Sequence, residues 1–188
     1  LTPIAVCLCF CLCIINVASV PKWTWMSGGF YDQPIGVYGE KGSSSPSNFP
    51  GARRGAAGCY DSLRKEFWLF GGYSFDSNEN GSESFLSFGN LFYSQLNHIS
   101  EFLNDLWRYR INDGTWTWMS GNNTFDQAGI YGEKGNASTE NVPGARSGAV
   151  GWVDSLSQSI WLFGGYGWDH DLDRGMLCMT DPLSTHTH

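Results

Sequence analysis

Positive charge is scarce in this chain. Eleven Lys and Arg stand against eighteen Asp and Glu, a net charge of −7. The basic residues are scattered, which argues against a nucleic-acid surface, because phosphate binding needs cationic patches. Histidine occurs four times, at 98, 170, 186 and 188. His186 and His188 sit at a chain end, where two histidines define no site. Four of the six cysteines (Cys7, Cys9, Cys11, Cys13) share one apolar run, leaving Cys59 and Cys178. Two cysteines make no disulfide framework, and no pair has metal-ligand spacing. Cys59 reads as a small apolar strand residue. Asp169, Asp171 and Asp173 alternate, but the Gly and Glu of a calcium loop are missing at the right spacing. No metal, cofactor or catalytic carboxylate pair is expected.

Long apolar runs are also rare. From Ile4 to Val17 the one polar residue besides cysteine is Asn16, and Val17-Ala18-Ser19 follows with small side chains. Residues 1–19 therefore read as a secretory signal peptide whose start is missing, since no basic segment precedes the run. The alternative is an N-terminal membrane anchor, although the run is shorter than the ~20 residues of a spanning helix. Either way the remaining chain is expected outside the cytosol, secreted or tethered. Asn80, Asn122 and Asn136 each open an Asn-x-Ser/Thr sequon. All three read as loop positions and candidate glycosylation sites.

What the chain has in quantity is itself, twice. Trp23–Asp76 aligns without a gap on Trp116–Asp169, an offset of 93 (116 − 23), and 31 of the 54 aligned positions are identical. A unit copied at a fixed period is the signature of a repeat architecture. Aromatic residues reach 15% and Gly 24 of 188, which suits short strands, bulky packing and tight turns and excludes a disordered chain.

Each copy opens on Trp-Thr-Trp-Met, the period-2 pattern of a half-buried strand. A polar loop follows (28–49, 121–142), rich in Gly, Ser and Asn. Pro-Gly-Ala-Arg then leads into a second strand, 53–60 or 146–153, whose small residues imply close approach by a neighbour. After an Asp-Ser-Leu turn comes an apolar strand, 67–70 or 160–163, expected to be buried on both faces and ended by Gly-Gly. A fourth strand, Leu106–Arg110, occurs once. Arg53 and Arg146 are expected to bond backbone carbonyls or acids inside the unit. The fold class is all-β, in four-stranded antiparallel sheets.

Pro50–Arg53, Trp68–Gly72, Leu103–Trp107, Trp116–Trp118, Pro143–Arg146 and Trp161–Gly165, in this order, resemble the blades of kelch-repeat β-propellers of the galactose-oxidase central-domain type. The resemblance covers roughly Trp23–Asp169. It implies blades of four antiparallel strands, each closed by a strand from the next repeat, here the Trp-x-Trp strand. It also implies tryptophans in the blade core and, most often, a protein-binding platform.

Two stretches depart from that pattern. An apolar insert at about 82–102 contains Phe85, Leu86, Phe88, Leu91, Phe92 and Tyr93. It reads as a binding loop, a segment packed beside the blade, or a translated intron. Beyond Asp169 the second copy does not reach its own Asn-Asp-Leu-Trp. The divisions are thus 1–19 leader, 20–110 first unit with its insert, 111–169 an incomplete second unit, and 170–188 an off-pattern tail. About one and a half blades close no ring, so the chain reads as a fragment of a longer protein.

The leading functional expectation is a non-enzymatic scaffold for protein partners. Its candidate binding residues lie in the repeated Tyr-Gly-Glu-Lys-Gly loops: Tyr38, Glu40, Lys41, Tyr131, Glu133 and Lys134. The competing reading of these loops is architectural, with Tyr38 and Tyr131 packed under each blade. Carbohydrate binding through exposed aromatic rings is the alternative function. A copper radical oxidase is less favoured, because no histidine belongs to the repeated unit.

Overall fold

The computed structural model describes residues 12–16, 22–27, 36–74, 101–168 and 174–176, with side chains described for 36–74 and 101–168. Within them the chain is all-β, and every strand pairing is antiparallel. Among the described residues no helix is long and apolar enough to cross a membrane.

The first two strands, β1 (Leu12–Asn16) and β2 (Lys22–Ser27), form a hairpin. Then come β3 (Ser44–Ser45), β4 (Arg53–Arg54), β5 (Ala57–Asp61), β6 (Glu66–Ser74), β7 (Glu101–Arg110) and β8 (Thr115–Ser120). They make sheet one, ordered β3-β8-β7-β6-β4, with β5 also on β6. The second copy supplies β9 (Arg146–Ser147), β10 (Val150–Asp154), β11 (Ser159–Phe163), β12 (Tyr166–Trp168) and β13 (Arg174–Met176). Of these, β10 pairs β11, and β12 lies between β13 and β9. We call this group sheet two.

Sheet one is closed from outside its own copy. Its strand β8, between β3 and β7, carries Trp116-Thr117-Trp118, the opening of the second copy, and pairs with β7 at Tyr109↔Trp116 and Trp107↔Trp118. Leu69, Trp107, Tyr109 and Trp116 form its buried cluster, with Tyr38, Phe49, Phe67 and Trp118 packed against them. Trp107 meets Tyr38 at 4.9 Å and Trp116 at 6.4 Å between ring centroids. The alternating Trp-Thr-Trp pattern suggests a solvent-facing threonine, yet Thr117 is fully buried. The second face of the sheet is covered there too.

Several strand limits differ from the sequence reading. The segment 53–60 is split, because Gly55 at φ +65° turns the chain between β4 and β5. Gly71-Gly72 does not end the apolar strand. β6 runs through it to Ser74, with a bulge in its pairing to β7 between Phe70 and Gly72. Both glycines have positive φ, and a methyl on Gly72 would sit 3.0 Å from the Arg54 carbonyl oxygen, so the bulge needs glycine. The fourth strand, expected from Leu106, starts at Glu101 as β7, so Glu101 and Phe102 belong to the sheet and not to the insert. The rest of the insert lies outside the described residues.

Backbone pairing also extends the repeat further than residue identity does. Tyr166↔Met176 and Gly167↔Gly175 match Tyr73↔Phe102 and Ser74↔Glu101. Part of the off-pattern tail thus takes the place where β7 begins. At the other end, Cys13↔Trp25 and Ile15↔Trp23 in the β1–β2 hairpin match Trp107↔Trp118 and Tyr109↔Trp116, and both hairpins shift register at their first pair. The segment read as a leader pairs here as the strand before a Trp-x-Trp edge.

In sheet one the apolar strand is buried at Leu69 and Phe70 and half-buried at Phe67 and Trp68, whereas in sheet two Trp161 and Phe163 are exposed. Trp152 and Trp161, expected in a core, are about half exposed and lie stacked with centroids 6.0 Å apart. Nothing among the described residues lies over them as sheet two lies over their counterparts. Trp107→Ala is therefore expected to destabilise the chain by about 3–5 kcal/mol. Trp161→Ala should cost less than about 1 kcal/mol, as exposed changes do. Urea unfolding followed by circular dichroism compares the two; equal costs would contradict this packing.

Candidate functional site

The densest polar cluster lies beneath the first Tyr-Gly-Glu-Lys-Gly loop. Arg53, on β4, is fully buried, and so is Asp105, on β7. The guanidinium grips the carboxylate with two bonds, Nη1 to Oδ1 at 2.6 Å and Nη2 to Oδ2 at 2.9 Å. It also donates to the Gly71 carbonyl at 3.0 Å and the Gly51 carbonyl at 3.1 Å. Asp105 Oδ2 further accepts from Tyr38 Oη and from Trp107 Nε1, each at 2.7 Å. A bidentate pair with its remaining acceptor sites filled is a finished structural unit, with little room for a ligand. Burial works against the Arg53 charge, but Asp105 outweighs it, and the guanidinium holds its proton more tightly than usual. Burial, reinforced by the Asp105 charge, pushes the Tyr38 phenol above its ordinary range.

The loop above that cluster has one shape in both copies. Val37 bridges Phe49 as Ile130 bridges Val142. Ser43 N donates to Glu40 O, and Asn136 N to Glu133 O, each at 3.0 Å. Asn48 Nδ2 holds the Ser43 carbonyl at 3.0 Å, and Asn141 Nδ2 the Asn136 carbonyl at 3.1 Å. Gly39 and Gly132 sit at φ +63° and +59°, and a methyl on either would strike that asparagine. Gly39 and Asn48, shared with the second copy as Gly132 and Asn141, are thus residues the turn requires.

The loops differ in what they touch. In the first, Gly42 N donates to Trp118 O at 2.7 Å and Lys41 Nζ to Gly121 O at 2.8 Å. The same ammonium lies 4.4 Å from the Trp118 ring centre. Tyr38 is thus a core residue, Lys41 is docked on β8, and Glu40 faces solvent. In the second loop Glu133 and Lys134 are exposed. Glu133 accepts from Asn136 Nδ2 at 2.7 Å. Tyr131 is 42% exposed, and its oxygen accepts from Arg146 Nη2 at 2.7 Å. Arg146 still holds the Gly144 and Gly164 carbonyls, at 2.9 and 3.3 Å. Both arginines therefore do what the sequence suggested. Among the described residues, however, Arg146 has no carboxylate partner.

Turn acids also repeat. Asp61 Oδ1 accepts from Leu63 N and Arg64 N, and Asp154 Oδ1 from Leu156 N and Ser157 N. The Arg64 side chain lowers the Asp61 pKa, and the Ser157 hydroxyl lowers that of Asp154. Asn122 and Asn136 are exposed in loops. Asn80, Asp76, Asp169, Cys178 and the four histidines lie outside the described residues. Among the described residues no cluster of His, Cys, Asp and Glu has the makings of a metal site, and Cys59 is a free thiol raised in pKa by burial.

A scan against protein-family models and a search of curated proteins found no match to this chain.

Two outcomes follow from the buried cluster. Asp105→Asn is expected to cost about 3–5 kcal/mol, because it strands the Arg53 charge; replacing both residues with Leu and Met should cost less. For Tyr38 the folded state raises the pKa. Its contribution is complete below the ordinary phenol value near 10 and is lost as pH rises through the folded value. Tyr38→Phe should flatten the fall in stability above about pH 10 while costing about 1 kcal/mol at neutral pH. Urea midpoints between pH 7 and 11 measure both; an unchanged alkaline slope would contradict the assignment.

Proposed function

We propose that this chain is part of a kelch-type β-propeller that serves as a non-enzymatic binding scaffold for protein partners outside the cytosol. The observation that carries this reading is the second Tyr-Gly-Glu-Lys-Gly loop. Glycines and Asn141 hold its shape while Glu133 and Lys134 remain in solvent. A rigid scaffold presenting charged loop tips is how binding residues are commonly displayed. The blade reading is supported by an antiparallel sheet in which the Trp-x-Trp strand of the next copy pairs with the strands of the first. It is further supported by a second copy of the same leading strands beside it. The apolar leader and the exposed sequons at Asn122 and Asn136 support a secretory route.

One observation favours the carbohydrate alternative. Trp152 and Trp161 lie stacked, their planes 2° apart, and exposed. An exposed ring face suits stacking on a sugar. Copper radical chemistry remains the least favoured, since its histidine ligands are missing from the repeated unit.

Parallel arrays of extracellular proteins and of glycans, probed with the full chain, separate these readings. The scaffold reading expects a protein ligand whose affinity drops roughly ten-fold, about 1.4 kcal/mol, in Glu133→Ala/Lys134→Ala. Glycan binding lost in Trp152→Ala would favour the alternative instead, and copper-dependent oxidase turnover would overturn both. Expression in secretory cells with N-terminal sequencing tests the leader: a chain released with Val20 first is expected, and retention with residues 1–19 intact indicates an anchor.

A further inference from the structure

The two sheets meet in a way that leaves both outer faces ready for the same contact. Gly148 N donates to Gly55 O at 2.7 Å. These residues are repeat counterparts, 93 apart (148 − 55). Ser155 Oγ donates to Asp61 Oδ1 at 3.5 Å. A methyl on Gly151 would lie 3.6 Å from Ala57 Cβ and 3.9 Å from Cys59 Sγ. The junction is therefore head to tail: the Ala57 face of one unit receives the Gly151 face of the next.

Sheet two presents the Ala57-type face again, uncovered among the described residues. Its Val150, Trp152, Trp161 and Phe163 stand at the positions of Ala57, Cys59, Trp68 and Phe70. Ala57 and Phe70 are 6% and 7% exposed, whereas Val150 and Phe163 are 60% and 40% exposed. Sheet one presents the Gly151-type face, exposed at Gly58 and Tyr60 while Leu69 and Trp116 beside them are buried. Gly58 is the counterpart of Gly151 and opens into an apolar groove of about 320 Å³ lined by Cys59, Tyr60, Phe67, Trp68, Leu69 and Trp116. Tyr60 packs on Phe67 at 4.6 Å between centroids and is still 41% exposed.

We propose that a second copy of this chain docks its Gly58–Tyr60 face on the Val150–Trp152–Trp161–Phe163 face of the first, repeating between molecules the junction that joins the two sheets within one. The occupant is identified by continuity: the two faces are the two halves of a contact already made inside the chain. Gly148 O then accepts from Gly55 N of the next copy. Ser62, the counterpart of Ser155, donates to Asp154. Bulkier Val150 and Trp152, in place of Ala57 and Cys59, fill the groove above Gly58. Such a contact is heterologous, so it closes into a ring or continues as a filament. This inference stands on the sheet junction alone, whatever ligand the loops take.

Sedimentation velocity of the full chain over a wide concentration range is the test. Trp152→Glu/Trp161→Glu blocks one face and Gly58→Glu/Tyr60→Glu the other, all at surface positions whose folding near-UV circular dichroism checks. The wild-type chain is expected to form oligomers, each blocked variant to stay monomeric, and an equimolar mixture of the two variants to form a 1:1 dimer and nothing larger. A monomeric wild type, self-association of a folded blocked variant, or wild-type aggregation with no dimer in the mixture would overturn the proposal.

Discussion

One buried guanidinium ties the finished sheet together. Arg53 comes from β4, the Gly71 carbonyl it holds from the bulge of β6, Asp105 from β7, and the phenol sharing that carboxylate from the loop at Tyr38. Four separate stretches of chain meet at two opposite charges from which water is excluded. A buried ion pair adds little net stability over an apolar replacement, yet losing one partner is costly. Its effect is therefore on geometry. Only one register of β6 against β7, with the glycine bulge in place, brings every acceptor within reach of the arginine.

Among the described residues the second copy shows the same machinery without its acid. Arg146, Tyr131 and the flanking glycines keep their places, and the phenol oxygen accepts from the guanidinium in place of a carboxylate. Tyr131 is exposed, and among the described residues no strand supports its loop as β8 supports the first or covers the Trp152–Trp161 pair. One sequence module thus yields an enclosed core or an open surface according to which strands lie beside it.

That dependence explains how far the sequence could be read. The duplication, the all-β class, the strand positions, the Asp61 and Asp154 turns and the inward arginines are local or repeat-borne signals, visible in residue type and spacing. The partner of Arg53 was not visible, because it stands 52 residues away and is brought in by strand pairing. Gly71-Gly72 looks like a strand end, since nothing local tells a bulge from a stop. Trp68 and Trp161 occupy the same position in identical motifs, yet their surroundings differ. Burial is set by neighbours that one copy has and the other lacks. Exposure of Glu40, Glu133 and Lys134 follows from their type, whereas the docking of Lys41 on Trp118 depends on β8.

The central claim is that one module is complete and clamped while its copy is open. Amide hydrogen exchange on the full chain at low concentration tests it most directly. Amides of β6 and β7 from Phe67 to Tyr109 in the paired segments should exchange last, near the global unfolding limit, and those of β10 and β11 much sooner. Equal protection in the two copies, or slower exchange in β10 and β11, would contradict the account.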